Sequence, residues 1–202
     1  MIQPESWIIL LNKMNRILLY FLFGFLISCK SDYDRLVRNE LSSGVRNDSL
    51  IFDIYMGDTR KEFYAKCWEL NSKKIISQGT GNQSVKYIEP EDSLGDKSLR
   101  KEMLFYATFD EKNIIRGMEM VYNFTAWAPW NKTRHSDTLL EELKKEFEKD
   151  FGGNEFIQVD LHDINYKAYV KVDGNRQIVM YPLSSKDVKV KIEDLNFKQK
   201  TS

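Results

Sequence analysis

The sequence predicts an α+β fold in which helices lie on one face of an antiparallel sheet, built from tandem helix-plus-antiparallel-strands units. Three observations predict it. Thr59-Arg60-Lys61-Glu62 and Thr138-Leu139-Leu140-Glu141 both match a capping box, and each opens an apolar stripe of helical period. Strand-like runs flank two short polar turns, Asp110-Glu111-Lys112-Asn113 and Asp173-Gly174-Asn175-Arg176, as in β-hairpins. These signals come twice in the same order, and amphipathic helices alternating with hairpins bury their apolar faces best as one helical layer on an antiparallel sheet.

Taken in order, Leu50 to Tyr55 has strand composition and is punctuated by Gly57-Asp58. The first helix starts at Thr59. Phe63, Cys67 and Leu70 recur at i, i+4 and i+7, Tyr64 and Trp68 widen the apolar face as a parallel row, and Lys61, Lys66 and Glu69 form the polar face. Gln78 to Asn82 is expected to end this helix or its extension and to feed a strand over Ser84 to Ile88. A surface loop follows from Glu89 to Lys101, with Pro90 and Gly95 in it. Met103 to Phe109 and Ile114 to Phe124 make the first hairpin.

In the second helix Leu140, Leu143, Phe147 and Phe151 are the buried stripe, and Gly152-Gly153 stops it, because glycine takes the left-handed conformation past a helix end at no steric cost. Phe156 to Leu161 is a strand, Tyr166 to Val172 and Gln177 to Tyr181 are the second hairpin, and Val188, Val190 and Ile192 alternate with Lys189, Lys191 and Glu193 in a last strand. Gly81-Asn82 is expected to answer Gly153-Asn154. The division that follows is a single domain over 49–197, with pseudo-repeats at about 50–130 and 131–195, and a polar tail at 198–202.

The N-terminal region carries a different signal. Lys13 and Arg16 precede an apolar run from Ile17 to Ile27, which closes on Leu26-Ile27-Ser28-Cys29. A basic region, a short hydrophobic region and small residues at a cleavage point form an export signal, and the run falls short of the roughly 20 apolar residues of a membrane-spanning helix. Cys29 at the last position resembles the lipobox of a bacterial lipoprotein, which implies cleavage before Cys29 and acylation of its thiol. Residues 1–28 are then a signal peptide, with Met14 as an alternative start, and 29–48 a polar tether with a helical turn around Tyr33 to Leu41.

Composition narrows the chemistry. Charged residues make up 30% of the chain and the formal net charge is zero, so no global field attracts a polyanion, and nucleic acid is disfavoured as a partner. With Cys29 acylated, Cys67 stands alone, and neither a disulfide, a CxxC pair nor a Cys-rich zinc site can be assembled. The two histidines, His135 and His162, fall in no metal-ligand spacing, and His162-Asp163 reads as a polar turn. Gly79-Thr80-Gly81 runs from helix to strand, the wrong direction for a phosphate loop. No catalytic residue, cofactor or metal site is expected, although paired carboxylates of a glycoside hydrolase are invisible in a sequence.

Trp127-Ala128-Pro129-Trp130-Asn131 is the segment that points to a partner. Two tryptophans around Ala-Pro lie in a connection between a strand and a helix, where exposed rings on a rigid turn make good anchors, and the competing reading folds both back as a lid over the core. Trp127, Trp130 and Asn131 are therefore the candidate binding residues.

Met56-Gly57-Asp58-Thr59 leading into Arg60-Lys61-Glu62-Phe63-Tyr64, with Trp68-Glu69-Leu70-Asn71 and Ala126 to Asn131, resembles small lipoproteins of Bacteroidota. The Lys30-Ser31-Asp32-Tyr33-Asp34 tract resembles the surface-routing signal of that phylum, and Asp48-Ser49-Leu50, Asp92-Ser93-Leu94 and Asp137-Thr138-Leu139 look like its O-glycosylation acceptors. The Gly-x-Thr lead into the first helix is similar to the SmpA/OmlA outer-membrane assembly lipoproteins, whose usual Met is Asp58 here, and the tandem repeats are similar to the β-lactamase-inhibitor-protein fold. These resemblances imply an exported protein, anchored to the outer membrane through lipid on Cys29, whose domain is a non-catalytic binding or assembly module for an envelope protein or glycan. The alternatives are an exported hydrolase acting on glycan or peptide, and an inhibitor or immunity-type protein.

Overall fold

A computed structural model describes residues 32–82, 84–90, 100–160 and 167–201. Cys29 with its leader, Asp92-Ser93-Leu94 and His162 lie outside the described residues. Leu36–Ser202 form one compact unit.

Eight strands form one sheet in the order β1-β2-β3-β4-β8-β7-β6-β5, and every neighbouring pair is antiparallel. They are β1 (Ile76–Gln78), β2 (Val85–Ile88), β3 (Lys101–Phe109), β4 (Ile115–Phe124), β5 (Ile157–Asp160), β6 (Lys167–Asp173), β7 (Arg176–Pro182) and β8 (Val188–Asp194). Among the described residues four helices accompany them: α1 (Asp32–Ser42), α2 (Arg60–Ser72), α3 (Ser136–Phe151) and α4 (Leu195–Thr201). The fold is α+β, with helices packed against an antiparallel sheet.

The register exposes an internal repeat. Met120 of β4 pairs with Val190 of β8, and exchanging these two residues exchanges their outer partners Phe105 and Met180, and next along, Met103 and Ile178. The same operation relates Tyr87 to Lys171 and Lys101 to Arg176. Each half therefore runs helix, two outer strands, and two inner strands, and the halves meet at β4 and β8.

The core lies between this sheet and the helices. Met103, Phe105, Ala107, Met118 and Met120 from the first half, and Ile178, Met180, Val188, Val190 and Ile192 from the second, are all buried on the shared face. Alternation along β3 and β8 puts every second side chain there. Phe63 and Leu70 of α2, and Leu139, Leu140, Leu143 and Phe147 of α3, close the other side.

Four local expectations need correction. Leu50 to Tyr55 is not a strand: Phe52 and Asp53 take positive φ, the Leu50 amide donates to the Ile54 carbonyl at 2.9 Å, and only an isolated bridge joins Ser49 and Tyr55. α2 ends at Ser72, Lys74 turns left-handed at φ 58°, and the three residues of β1 intervene before Gly79. Gly81-Asn82 thus sits between two strands, whereas Gly152-Gly153-Asn154 follows a helix, and the two do not correspond. Finally, α3 begins at Ser136 with His135 as its cap residue and no side-chain cap bond, so Thr138 lies inside the helix rather than at its start.

Candidate functional site

The connection from β4 to α3 is fixed by its own polar groups. The Trp127 indole Nε1 donates to the Ser185 carbonyl at 3.2 Å, the Ser136 amide donates to the same carbonyl at 3.0 Å, and an Arg134 guanidinium N–H donates to the Ala126 carbonyl at 3.3 Å. Trp127 is half-buried, its ring tilted over His135 with centroids 6.2 Å apart. Trp130 is 85% exposed. One ring thus belongs to the body and one to solvent, a split that neither sequence reading contained. Asn131 accepts from the Thr133 hydroxyl at 2.7 Å and starts the 3₁₀ turn Lys132–Arg134, so its side chain positions the turn.

The second aromatic surface was not legible as one. On α2 Phe63 is buried edge-on against Phe109, at 5.7 Å between centroids, but Tyr64 is 53% and Trp68 76% exposed. The sequence places Tyr64 and Trp68 on the apolar face. The structure turns their row outward, because Phe63, Leu70 and the half-buried Cys67 already fill the contact with the sheet. Helical period says which residues share a face, not how wide a face the sheet can cover.

Titratable groups inside the fold are tied to structure. Burial pushes the Cys67 thiol up to about 11, which keeps it protonated and unreactive at neutral pH. Burial alone would lower the Lys101 ammonium, but Glu146 and Glu89 outweigh it and the net direction is upward. Burial likewise raises the Glu142 carboxyl and the Tyr122 hydroxyl, whose nearest partner is the Met120 sulfur at 3.7 Å. His135 Nε2 is buried without a hydrogen-bond partner and stands beside Trp127 rather than beside a nucleophile. Among the described residues no group of three or more His, Cys, Asp and Glu side chains could hold a metal ion. Among them, too, no helix is long and apolar enough to cross a membrane.

A scan against protein-family models and a search of curated proteins both return no match. Among solved structures, the chain is similar to the crystal structure of a DUF4309 family protein, YjgB, from Bacillus subtilis subsp. subtilis str. 168. The identity is 11%, the TM-score 0.34, and the match covers 79% of this chain and 93% of that one.

Proposed function

We propose that this protein is an exported lipoprotein, held in the outer membrane by acyl chains on Cys29, whose α+β domain binds a protein or glycan of the envelope without catalysing a reaction. The anchor rests on the sequence: a basic start, an apolar run and Leu26-Ile27-Ser28-Cys29. The binding role is carried by one observation, the 85% exposure of Trp130 on a turn that three hydrogen bonds to carbonyls hold in place. Tryptophan left in water loses burial free energy, of the order of 1.5–3 kcal/mol for a large apolar side chain, and a rigid mount makes it ready to recover that in a partner.

Two measurements test the two parts. Radiolabelled palmitate fed to expressing cells should enter the wild-type protein and not Cys29→Ser, which should also leave the detergent phase on partition. Equal labelling of both would remove the anchor. A photo-crosslinking residue at exposed Lys132 should yield one adduct in intact cells, lost in Trp130→Ala. An adduct unchanged by Trp130→Ala, or none at all, would remove the ring from the binding role.

A further inference from the structure

The start of α2 is stitched to the β3–β4 turn. The Arg60 amide donates to the Asn113 carbonyl at 2.8 Å, the Ile115 amide to the Asp58 carbonyl at 2.8 Å, and Thr59 bridges Ile114. Between them lies an open cleft of about 500 Å³ lined by Thr59, Arg60, Lys61, Tyr64, Lys112 and Asn113. That volume falls within the range of small-ligand sites, roughly 300–1,000 Å³.

The charge in this cleft is one-sided, for a local reason. Four acids stand close by in sequence, Asp58, Glu62, Asp110 and Glu111, but none of them lines the cleft, and the first three are bound to backbone amides. Asp58 accepts from the Tyr55 amide at 2.8 Å, Glu62 from the Thr59 amide at 2.7 Å, and Asp110 from the amides of Lys112 and Ile114 at 2.9 Å and from Arg116 Nε at 2.9 Å. Arg60, Lys61 and Lys112 form no ion pair among the described residues. Arg60 lies over the Phe109 ring, 4.4 Å from its centroid, and its Nε is sealed from solvent without a hydrogen-bond partner. The cleft is therefore lined by three cationic side chains and by no acid.

The surface leading away from it is aromatic. Lys61, Tyr64, Trp68 and Ser72 fall within about a third of a turn of one another around α2, so cation, ring, ring and hydroxyl form one stripe. Tyr64 and Trp68 are separated by about 6 Å along the axis, the order of spacing between neighbouring pyranose rings in a chain. Flat exposed rings take the C–H face of a sugar, and an ammonium takes a carboxylate by a charge-assisted hydrogen bond.

We propose that α2 carries a binding site for an acidic oligosaccharide: a carboxylate of a uronic-acid unit enters the Arg60/Lys61/Lys112 cleft, and the following rings lie on Tyr64 and Trp68. An acidic peptide would satisfy the charges but leaves the outward aromatic row without a use, so the glycan is favoured. The site is separate from the Trp127–Asn131 connection, and its test stands whether or not Cys29 carries lipid.

The experiment is calorimetric titration of the full chain in detergent with hexagalacturonate, neutral maltohexaose and hexaglutamate. Hexagalacturonate should bind with a Kd at or below about 1 mM, and maltohexaose should not. Trp68→Ala should weaken binding about tenfold, as should Lys61→Ala combined with Lys112→Ala, and raising salt should erode the wild-type affinity. Lys145→Ala combined with Lys149→Ala, both on α3, serves as the charge-matched control and should bind as wild type. All of these side chains are exposed, so folding should be unaffected. The proposal is overturned if hexagalacturonate gives no heat, if maltohexaose binds equally, or if Trp68→Ala binds as well as wild type. Tighter binding of hexaglutamate would overturn the glycan and assign the cleft to acidic peptides.

Discussion

In the first half of the sheet Lys101 lies at the start of β3, and in the second half Arg176 lies at the equivalent place at the start of β7, both turned toward the helices and both buried. Each has an acid at or just past the end of the neighbouring strand. Glu89 stands 3.2 Å from Lys101, and Asp173 stands 4.0 Å from Arg176. Around these matched pairs the halves diverge. Lys101 takes a second acid, Glu146 of α3, whose side chain is 43% exposed, and the connection from Glu89 to Arg100 is long. Arg176 instead stacks on Phe151, 4.6 Å from the ring centroid, and its strand joins β6 through Gly174-Asn175 alone. Moreover, the position of Tyr87 in the first half is held by Lys171 in the second, a fully buried ammonium that donates to the Asn154 carbonyl and lies 2.8 Å from Asp173 Oδ2. The first half carries one buried cation against two acids with access to water; the second carries two against one acid, sealed.

The seal comes from the end of α1 and the segment after it. Glu40 accepts from the Gly174 amide and from Asn154 Nδ2, both at 2.8 Å, the Asn47 amide donates to Asn175 Oδ1 at 2.7 Å, and Ser49 Oγ accepts from Arg176 at 2.7 Å. Sequence reading makes residues 29–48 a tether, yet Glu40 to Asp48 are hydrogen-bonded to the β6–β7 turn. The largest effect should follow from Asp173→Ala. It leaves Lys171 and Arg176 buried without a counter-charge and removes the acceptor of the Asn154 amide, so we expect a loss of about 3–5 kcal/mol in urea denaturation. A loss below about 1 kcal/mol would mean that water reaches this end of the sheet as it reaches the other.

The next effect tests the turn itself. Gly174 has φ +58°, and a Cβ there would stand 2.3 Å from the Val45 carbonyl oxygen. Gly174→Ala meets both the left-handed penalty and a backbone collision, so it should cost at least about 2 kcal/mol. It should also speed amide exchange at Asn47, because the 44–49 segment must move to make room.

These features explain where the sequence was readable. The capping box at Thr59, the β3–β4 hairpin and the alternation of β8 depend on neighbours within a few residues, and each formed where the pattern put it. The Tyr166 to Tyr181 region misleads, because both faces of β6 are buried: Val170 and Val172 share one, Lys171 and Asp173 the other. Period-two alternation alone would send Lys171 to solvent. Its burial depends on Asp173 two residues on, and also on Asn154 and the 40–49 segment, which no local window contains. Trp68 fails in the opposite sense, since an apolar residue at helical spacing had nothing left to cover it.

In the first half the same logic predicts a smaller, pH-dependent effect. Lys101→Met should cost about 1–2 kcal/mol, less than the buried pair, because Glu146 regains water once released. The Lys101 ammonium is raised above its usual 10.5 in the folded protein, so its contribution is fully present below that pH and is lost as pH rises through the higher folded value. Wild type should therefore lose stability more steeply than Lys101→Met above about pH 10.5. Parallel profiles would show that Glu89 and Glu146 do not hold the ammonium charged.

The smallest effect concerns the connection that joins the halves, where two tryptophans three residues apart should behave differently. Trp127→Phe keeps the ring but deletes the bond to the Ser185 carbonyl, which still receives the Ser136 amide, so the carbonyl is not orphaned and the cost should be about 1 kcal/mol. Trp130→Ala removes a ring that touches water on nearly every side, and its stability should lie within about 0.5 kcal/mol of wild type. Paired thermal melts with and without a bound partner separate the roles. Trp127 should lower both melts equally, because it holds the turn in either state, and Trp130 should lower only the second, because its burial occurs only on binding.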